Sequence, residues 1–155
     1  MPILALQDYV ERLVAADITA TGIQWSTAVD TTTADTYVTV LSKTIEPGIQ
    51  GDLLWLELGL TCGLRAVTSA TADLIWKWQA RNKGGTWVDL HTAVTETNIG
   101  TTEVERTMSG YFALTANINH VPIEIQLLLQ CNETNEGRGR VKNSSYARLV
   151  YKGLT

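Results

Sequence analysis

Glu103 and Glu105 are the first residues in this sequence whose type and spacing could do chemistry. Two positions apart on a strand, their backbones sit about 6.5–7 Å apart. A glycosidase needs a carboxylate pair about 5–9.5 Å apart, one as acid and one as base or nucleophile. Arg106 and the threonines around the pair describe an ordinary solvated strand face instead. His91 follows a strand end and His120 lies in the loop Asn117–Pro122, neither beside a nucleophile elbow of the GxSxG kind. Cys62 and Cys131 both fall on apolar faces of their strands, as core thiols or as a disulfide between facing sheets that would imply an oxidising compartment. The two cysteines, about 70 residues apart, are no redox CxxC pair, and Asp30 and Asp35 lack calcium-loop spacing. No P-loop or GxGxxG is present, and the basic run Gly137–Lys142 reads as a solvated loop beside Glu133 and Glu136. No catalytic, cofactor-binding or metal-ligating residue is therefore assigned, and no cofactor is expected.

Sugar binding is the strongest of the alternatives. Five tryptophans are present, and exposed rings on a β-sandwich can stack on sugars. Trp76 and Trp78 share the inward phase of Leu74 and Ala80, whereas Trp87 is out of phase with Val88 and Leu90. Trp87 is thus the ligand-stacking candidate, followed by Trp25 and Trp55.

The elements that must position these groups are mostly strands. From residue 36 onward the apolar period is two. Leu54, Leu56, Leu58, Leu60, Cys62 and Leu64 alternate, from residue 57 onward, with the polar or small Glu57, Gly59, Thr61, Gly63 and Arg65. Ile123, Ile125, Leu127, Leu129 and Cys131 also alternate with polar residues, with Leu128 out of pattern. Further strands are read over residues 23–29, 37–45, 73–81, 86–90, 104–114 and 146–152. Asn82-Lys83-Gly84-Gly85 marks a hairpin turn between two of them. Helical spacing occurs once: Leu6, Tyr9, Val10, Leu13 and Val14 form one apolar face over residues 4–16. At about 13 residues that helix would be marginal alone and must dock, on its own domain or on a neighbouring subunit.

The fold expected is all-β: an antiparallel two-sheet sandwich, jelly-roll-like, with a short N-terminal helix. Residues 1–17 would be a helical arm and 18–155 a single sandwich domain. An immunoglobulin-like sandwich is the alternative, because Trp76 and Trp78 lie between Cys62 and Cys131. The 155 residues are 45% hydrophobic and 18% charged with a formal net charge of −4, enough for one core and without the basic excess that draws nucleic acid. Leu53–Leu64 is too short and too interrupted to span a membrane, and Met1–Ala5 lacks the basic start of a signal peptide.

Two segments carry a resemblance. Trp76–Leu90, with its Gly84-Gly85-Thr86-Trp87 turn, and the closing Gly137–Tyr151, with Asn143-Ser144-Ser145-Tyr146 before Arg148, resemble the jelly-roll β-sandwiches of virion proteins of the phage or viral decoration and minor capsid type. That resemblance implies a non-enzymatic structural protein, a homo-oligomer such as a trimer, located in the virion after assembly in the host cytoplasm and bound to a capsid or other virion protein. The low charge and the many threonines agree with a surface made for protein contact. The interface candidates are Leu6, Tyr9, Val10, Leu13, Val14, Trp55 and Ile75. Trp55 and Ile75 interrupt polar strand faces, which a monomer would keep polar unless its own chain covers them.

Overall fold

The computed structural model describes residues 13–17, 29–45, 51–120, 122–142 and 144–153, with side chains placed except at 13–17, 51–53 and 148–153. Among the described residues the secondary structure is all strand. The first sheet holds β1 (Leu13–Asp17), β2 (Val29–Asp30), β4 (Gly51–Ala66), β8 (Val104–Phe112), β10 (Gly137–Val141) and β11 (Tyr146–Gly153). The second holds β3 (Val38–Ile45), β5 (Ala72–Asn82), β6 (Val88–Asp89), β7 (Val94–Ile99) and β9 (Ile123–Cys131). Every pairing among them is antiparallel.

The pairings nest. β1 joins β11, β3 joins β9, β4 joins β8 and β5 joins β7, so the chain is one long hairpin rolled over on itself. This is a jelly-roll-like wrapping, and the central pairs β4·β11 and β5·β9 close each sheet laterally. β4 is long enough, at 16 residues, to pair with β11 along its first half and β10 along its second.

Alternation builds the core. In β5 Ala72, Leu74, Trp76, Trp78, Ala80 and Asn82 are buried and the residues between them half-exposed. From β4, Leu56, Leu58, Leu60, Cys62 and Leu64 are buried; β9 sends in Ile123, Ile125, Leu127, Leu129 and Cys131. Each fully buried large side chain contributes about 1.5–3 kcal/mol of transfer free energy. The sheets meet closely where β10 crosses β9: a Cβ on Gly137 would lie 2.8 Å from that of Cys131, and one on Gly139 2.9 Å from Leu129 Cδ2.

The N-terminal helix requires correction. Residues 13–17, its last turn, form β1, with Leu13 opposite Lys152 and Asp17 opposite Arg148. The free edge of β11 offers a ladder of backbone hydrogen bonds, while a helix this short has little cooperative stability of its own. Residues 4–12, with Leu6, Tyr9 and Val10, lie outside the described residues, as do Trp25 and the expected strand over 23–29 except for Val29. The Gly137–Lys142 run is a second correction, since Gly137–Val141 is strand β10 rather than loop. Its glycines face inward, where no Cβ would fit, and its arginines face outward.

Candidate functional site

Among the described residues, the side chains able to do chemistry are spread over the outer sheet faces, the space between the sheets and the loop ends, and most are engaged by a partner. On the first sheet, Gly63 leaves a gap that the Glu103 carboxylate fills, 2.5 Å from where a Cβ would stand. Arg140 grips Glu103 with two hydrogen bonds of 2.8 Å, and Lys142 bridges Glu103 and Glu105, the latter at 3.1 Å. Hydrogen bonding from Arg140, reinforced by Lys142, holds the Glu103 carboxyl below its ordinary range. A glycosidase acid needs the opposite shift. The structure thus brings the two glutamates together with two cations, as a closed ion-pair cluster.

The other carboxylates are held similarly. Arg138 chelates Asp30 at 2.5 and 2.7 Å and depresses its pKa. Arg106 of β8 reaches Glu96 of β7 at 2.7 and 3.0 Å, stitching the two sheets together along one side and lowering the Glu96 pKa. The Thr68 hydroxyl, with the Thr68 and Ser69 amides, does the same to Glu136 in a loop.

These depressed values fix a pH dependence. Each carboxylate binds its proton less readily folded than unfolded, so the stability it contributes is present above the unfolded value of about 4 and lost as pH falls through the folded one. Chemical denaturation is expected to give stability insensitive to these groups above about pH 5 and a steep loss below pH 4. A gain in stability on acidification through that window would contradict the assignment.

The His91 ring is held by backbone groups rather than by a nucleophile. His91 Nε2 accepts the Trp78 amide at 3.0 Å and its Nδ1 lies 2.8 Å from the Thr92 carbonyl oxygen, which places the proton on Nδ1. Its ring packs on Trp76 with centroids 5.1 Å apart. The His120 amide donates to Asn82 Oδ1, which also accepts the Asn119 amide and so ties that loop to the end of β5.

Cys62 and Cys131 are free and buried. They cannot be joined: Cys131 abuts Gly137, whose partner on β4 is Ala66, and Cys62 lies four residues further along, about 13 Å away. Burial pushes the Cys62 thiol up to about 12 and raises Cys131 as well. Both thiols are expected to resist a disulfide reagent at pH 8 in the folded protein and to react fully in guanidinium; rapid labelling of either in buffer would contradict this burial. Among the described residues no three His, Cys, Asp or Glu side chains are grouped to hold a metal ion.

The second sheet's outer face is a cross-linked polar surface. Lys77 pairs with Asp89 at 3.0 Å and lies over the Tyr37 ring; Gln79 donates to Asp89 and accepts from Gln126, both at 2.7 Å. Arg81 pairs with Glu124, donates to the Gly85 carbonyl and covers the Trp87 ring at 4.2 Å. Trp87, the sugar-stacking candidate, is therefore half-buried with one face taken by a guanidinium. Ile75 is half-buried on this same face between Thr95 and Gln130.

Trp55 lies on the other outer face, half-buried on β4 and opposite Val150. Further along the same face the Tyr146 ring takes the space that a Cβ on Gly59 would need. On β8, next to Glu57, Tyr111 is 74% exposed. The sequence reading did not single out Tyr111 or Tyr146; the signal available was a tyrosine in outward phase on each of two strands flanking a glycine-bearing one.

No protein-family model matches the sequence, and no curated protein is similar to it. The fold is similar to chains from particles of infectious bursal disease virus. One from the T13 viral particle superposes with a TM-score of 0.61 at 15% identity, over 90% of this chain and 31% of that one. A second, from the Gx strain, gives 0.60 at 14% identity over 93% and 34%, and a third, from the VP2 subviral particle, gives 0.53 at 12% over 91% and 34%. This chain thus spans about a third of the length of those it matches. At such identities the likeness is one of fold: a two-sheet, jelly-roll-like β-sandwich shared with chains of viral particles.

Proposed function

We propose that this chain is a non-enzymatic structural protein of a virus or phage particle, of the decoration or minor capsid type, acting through contacts with copies of itself and with a shell protein. The observation that carries this reading is the superposition of nine-tenths of the chain on a viral-particle protein. The state of the polar side chains agrees with it. Glu96, Glu103, Arg106, Arg140 and the His91 ring are spent on cross-strand and loop contacts, which makes a durable sandwich rather than a reaction centre.

The mechanism is burial of apolar surface between subunits, at about 25 cal/mol per Å² before association costs are subtracted. The segment bearing Leu6, Tyr9, Val10, Leu13 and Val14 is one contact in this reading and the face around Trp55 another. Ile75 sits among ion-paired residues and fits an interface core less well. A closed ring of three is the symmetry expected. Sedimentation equilibrium of the full chain tests it: a species of three times 17.0 kDa, or a larger closed assembly, is expected at micromolar concentration, and a single species of 17.0 kDa would overturn the reading.

A further inference from the structure

We propose that His91 is a proton-operated latch on the second sheet: its neutral imidazole closes a gap in the sheet, and a proton on Nε2 frees residues 86–93 from β5. This role goes beyond the assembly reading and does not depend on it. It follows from the place where the backbone ladder fails. On one side of β5, β6 pairs through Asp89 and Val88 with Gln79 and Ala80, and β7 begins only at Val94, opposite Trp76. Trp78 lies in the gap between them. The Leu90 amide donates to the Trp78 carbonyl at 2.9 Å, but the acceptor for the Trp78 amide is His91 Nε2, at 3.0 Å. A buried backbone N–H must find a partner, and here a side chain that titrates stands in for the missing strand. Nδ1, 2.8 Å from the Thr92 carbonyl oxygen, carries the proton that leaves Nε2 free to accept.

Protonation reverses that bond. An imidazolium carries N–H on both nitrogens, so Nε2 would turn a donor toward the Trp78 donor. The ring is half-exposed, and a proton can reach it from solvent. Trp78 is under-satisfied on its other side as well. Its indole Nε1 is buried with no hydrogen-bond partner among the described residues, so the closed edge is incompletely bonded even before a proton arrives. The segment's remaining anchors do not titrate in the same range. They are the two-residue ladder of β6, the Leu90 amide, the Lys77–Asp89 and Gln79–Asp89 bonds, and Arg81 over the Trp87 ring. Burial raises the Asp89 carboxyl, but hydrogen bonds from Gln79 and Lys77 outweigh it and leave the group below its ordinary value. Beyond the Trp76 ring that packs on the imidazole lie Glu96 of β7, which accepts the Trp76 indole N–H, and Arg106 of β8, which bonds Glu96. Among the described residues His91 is therefore the group at this edge whose charge changes between pH 7.5 and 5.5.

Amide hydrogen exchange of the full chain, corrected for the intrinsic rate at each pH, tests this. Opening that takes up one proton at an ordinary histidine value of about 6.5 lowers the protection of the Trp78 and Leu90 amides about 10-fold between pH 7.5 and 5.5. The amides of Leu127 and Leu129 on β9 are expected to stay protected. His91→Gln keeps an acceptor for the Trp78 amide but cannot titrate, and should hold parent-like protection at both pH values. His91→Ala should be poorly protected at both. His120→Gln, which leaves His91 as the remaining histidine, should keep the parent's fall. Protection in the parent that does not change with pH, or an equal fall in β9, overturns the latch. So does a fall that survives in His91→Gln or disappears in His120→Gln.

Discussion

Leu127→Ala is expected to cost about 3–4 kcal/mol of folding stability, and Leu128→Ala, its neighbour on the same strand, about 1 kcal/mol. Leu127 is fully buried, between the strands of its own sheet and the facing one, opposite Trp78 and Leu41 in register. Truncation there removes a buried isobutyl group and leaves a cavity whose walls are held by two backbone ladders, so little of it can collapse. Leu128 points outward, half-covered, level with Lys77 and Thr39. Guanidinium denaturation reads the difference directly, and the first variant should melt about 10 °C below the parent. Equal losses at both positions would mean that β9 does not alternate between core and surface, and the sandwich described here would be wrong.

Gly137→Val is the second large effect expected. A Cβ at this position would stand 2.8 Å from Cys131 Cβ, 2.9 Å from Thr31 Cγ2 and 3.0 Å from Leu74 Cδ2, all packed between the sheets. None is the loose end of a flexible side chain. Gly137 is also fixed by its own backbone, which donates to the Thr31 hydroxyl at 2.9 Å and accepts the Thr31 amide at 2.8 Å. Two further methyl groups cannot be placed without separating β10 from β9, and a loss of about 3 kcal/mol or more is expected. Gly100→Ala is the matched control, since its Cβ would meet only the Ala70 carbonyl oxygen at an ordinary 3.6 Å. If denaturation midpoints shift alike in both variants, the close approach of the sheets at β10 is not what makes glycine necessary.

The alternating strands were legible in the sequence because burial of one sheet face imposes a period of two that nothing else mimics over nine residues. β9 and the leucine series of β4 run as that pattern requires. β10 was not legible, for the same physics seen from the other side: its inward positions are glycines, which read as loop because their use is to let two backbones approach. β7, with the sequence VTETNI, carries too few apolar residues to show a period. Residues 13–17 satisfy a helical spacing and a strand equally, and the deciding fact, an unoccupied edge on β11, lies more than a hundred residues away.

The site was read less well than the fold, since its chemistry depends on partners in sequence-distant strands. Glu103 and Glu105 read as an ordinary solvated strand face, but their partners Arg140 and Lys142, brought beside them across Gly63, were not legible. Trp87 was in the outward phase, as expected, but Ala80 pairs with Val88 across the hairpin, which sets Arg81 opposite Trp87. That neighbour could have been read from the turn length alone. Trp55 was singled out from its phase; Tyr111 and Tyr146 acquire meaning only when β8 and β11 flank β4 at Gly59.

The proposal that this chain is part of a viral particle is tested most directly by banding particles from the producing cells on a density gradient and probing each fraction with an antibody raised against the chain. The account predicts that the chain sediments with intact particles, in fixed proportion to the shell protein, and stays with them through a second gradient. A chain found only at the top of the gradient, in the fractions free of particles, would contradict it.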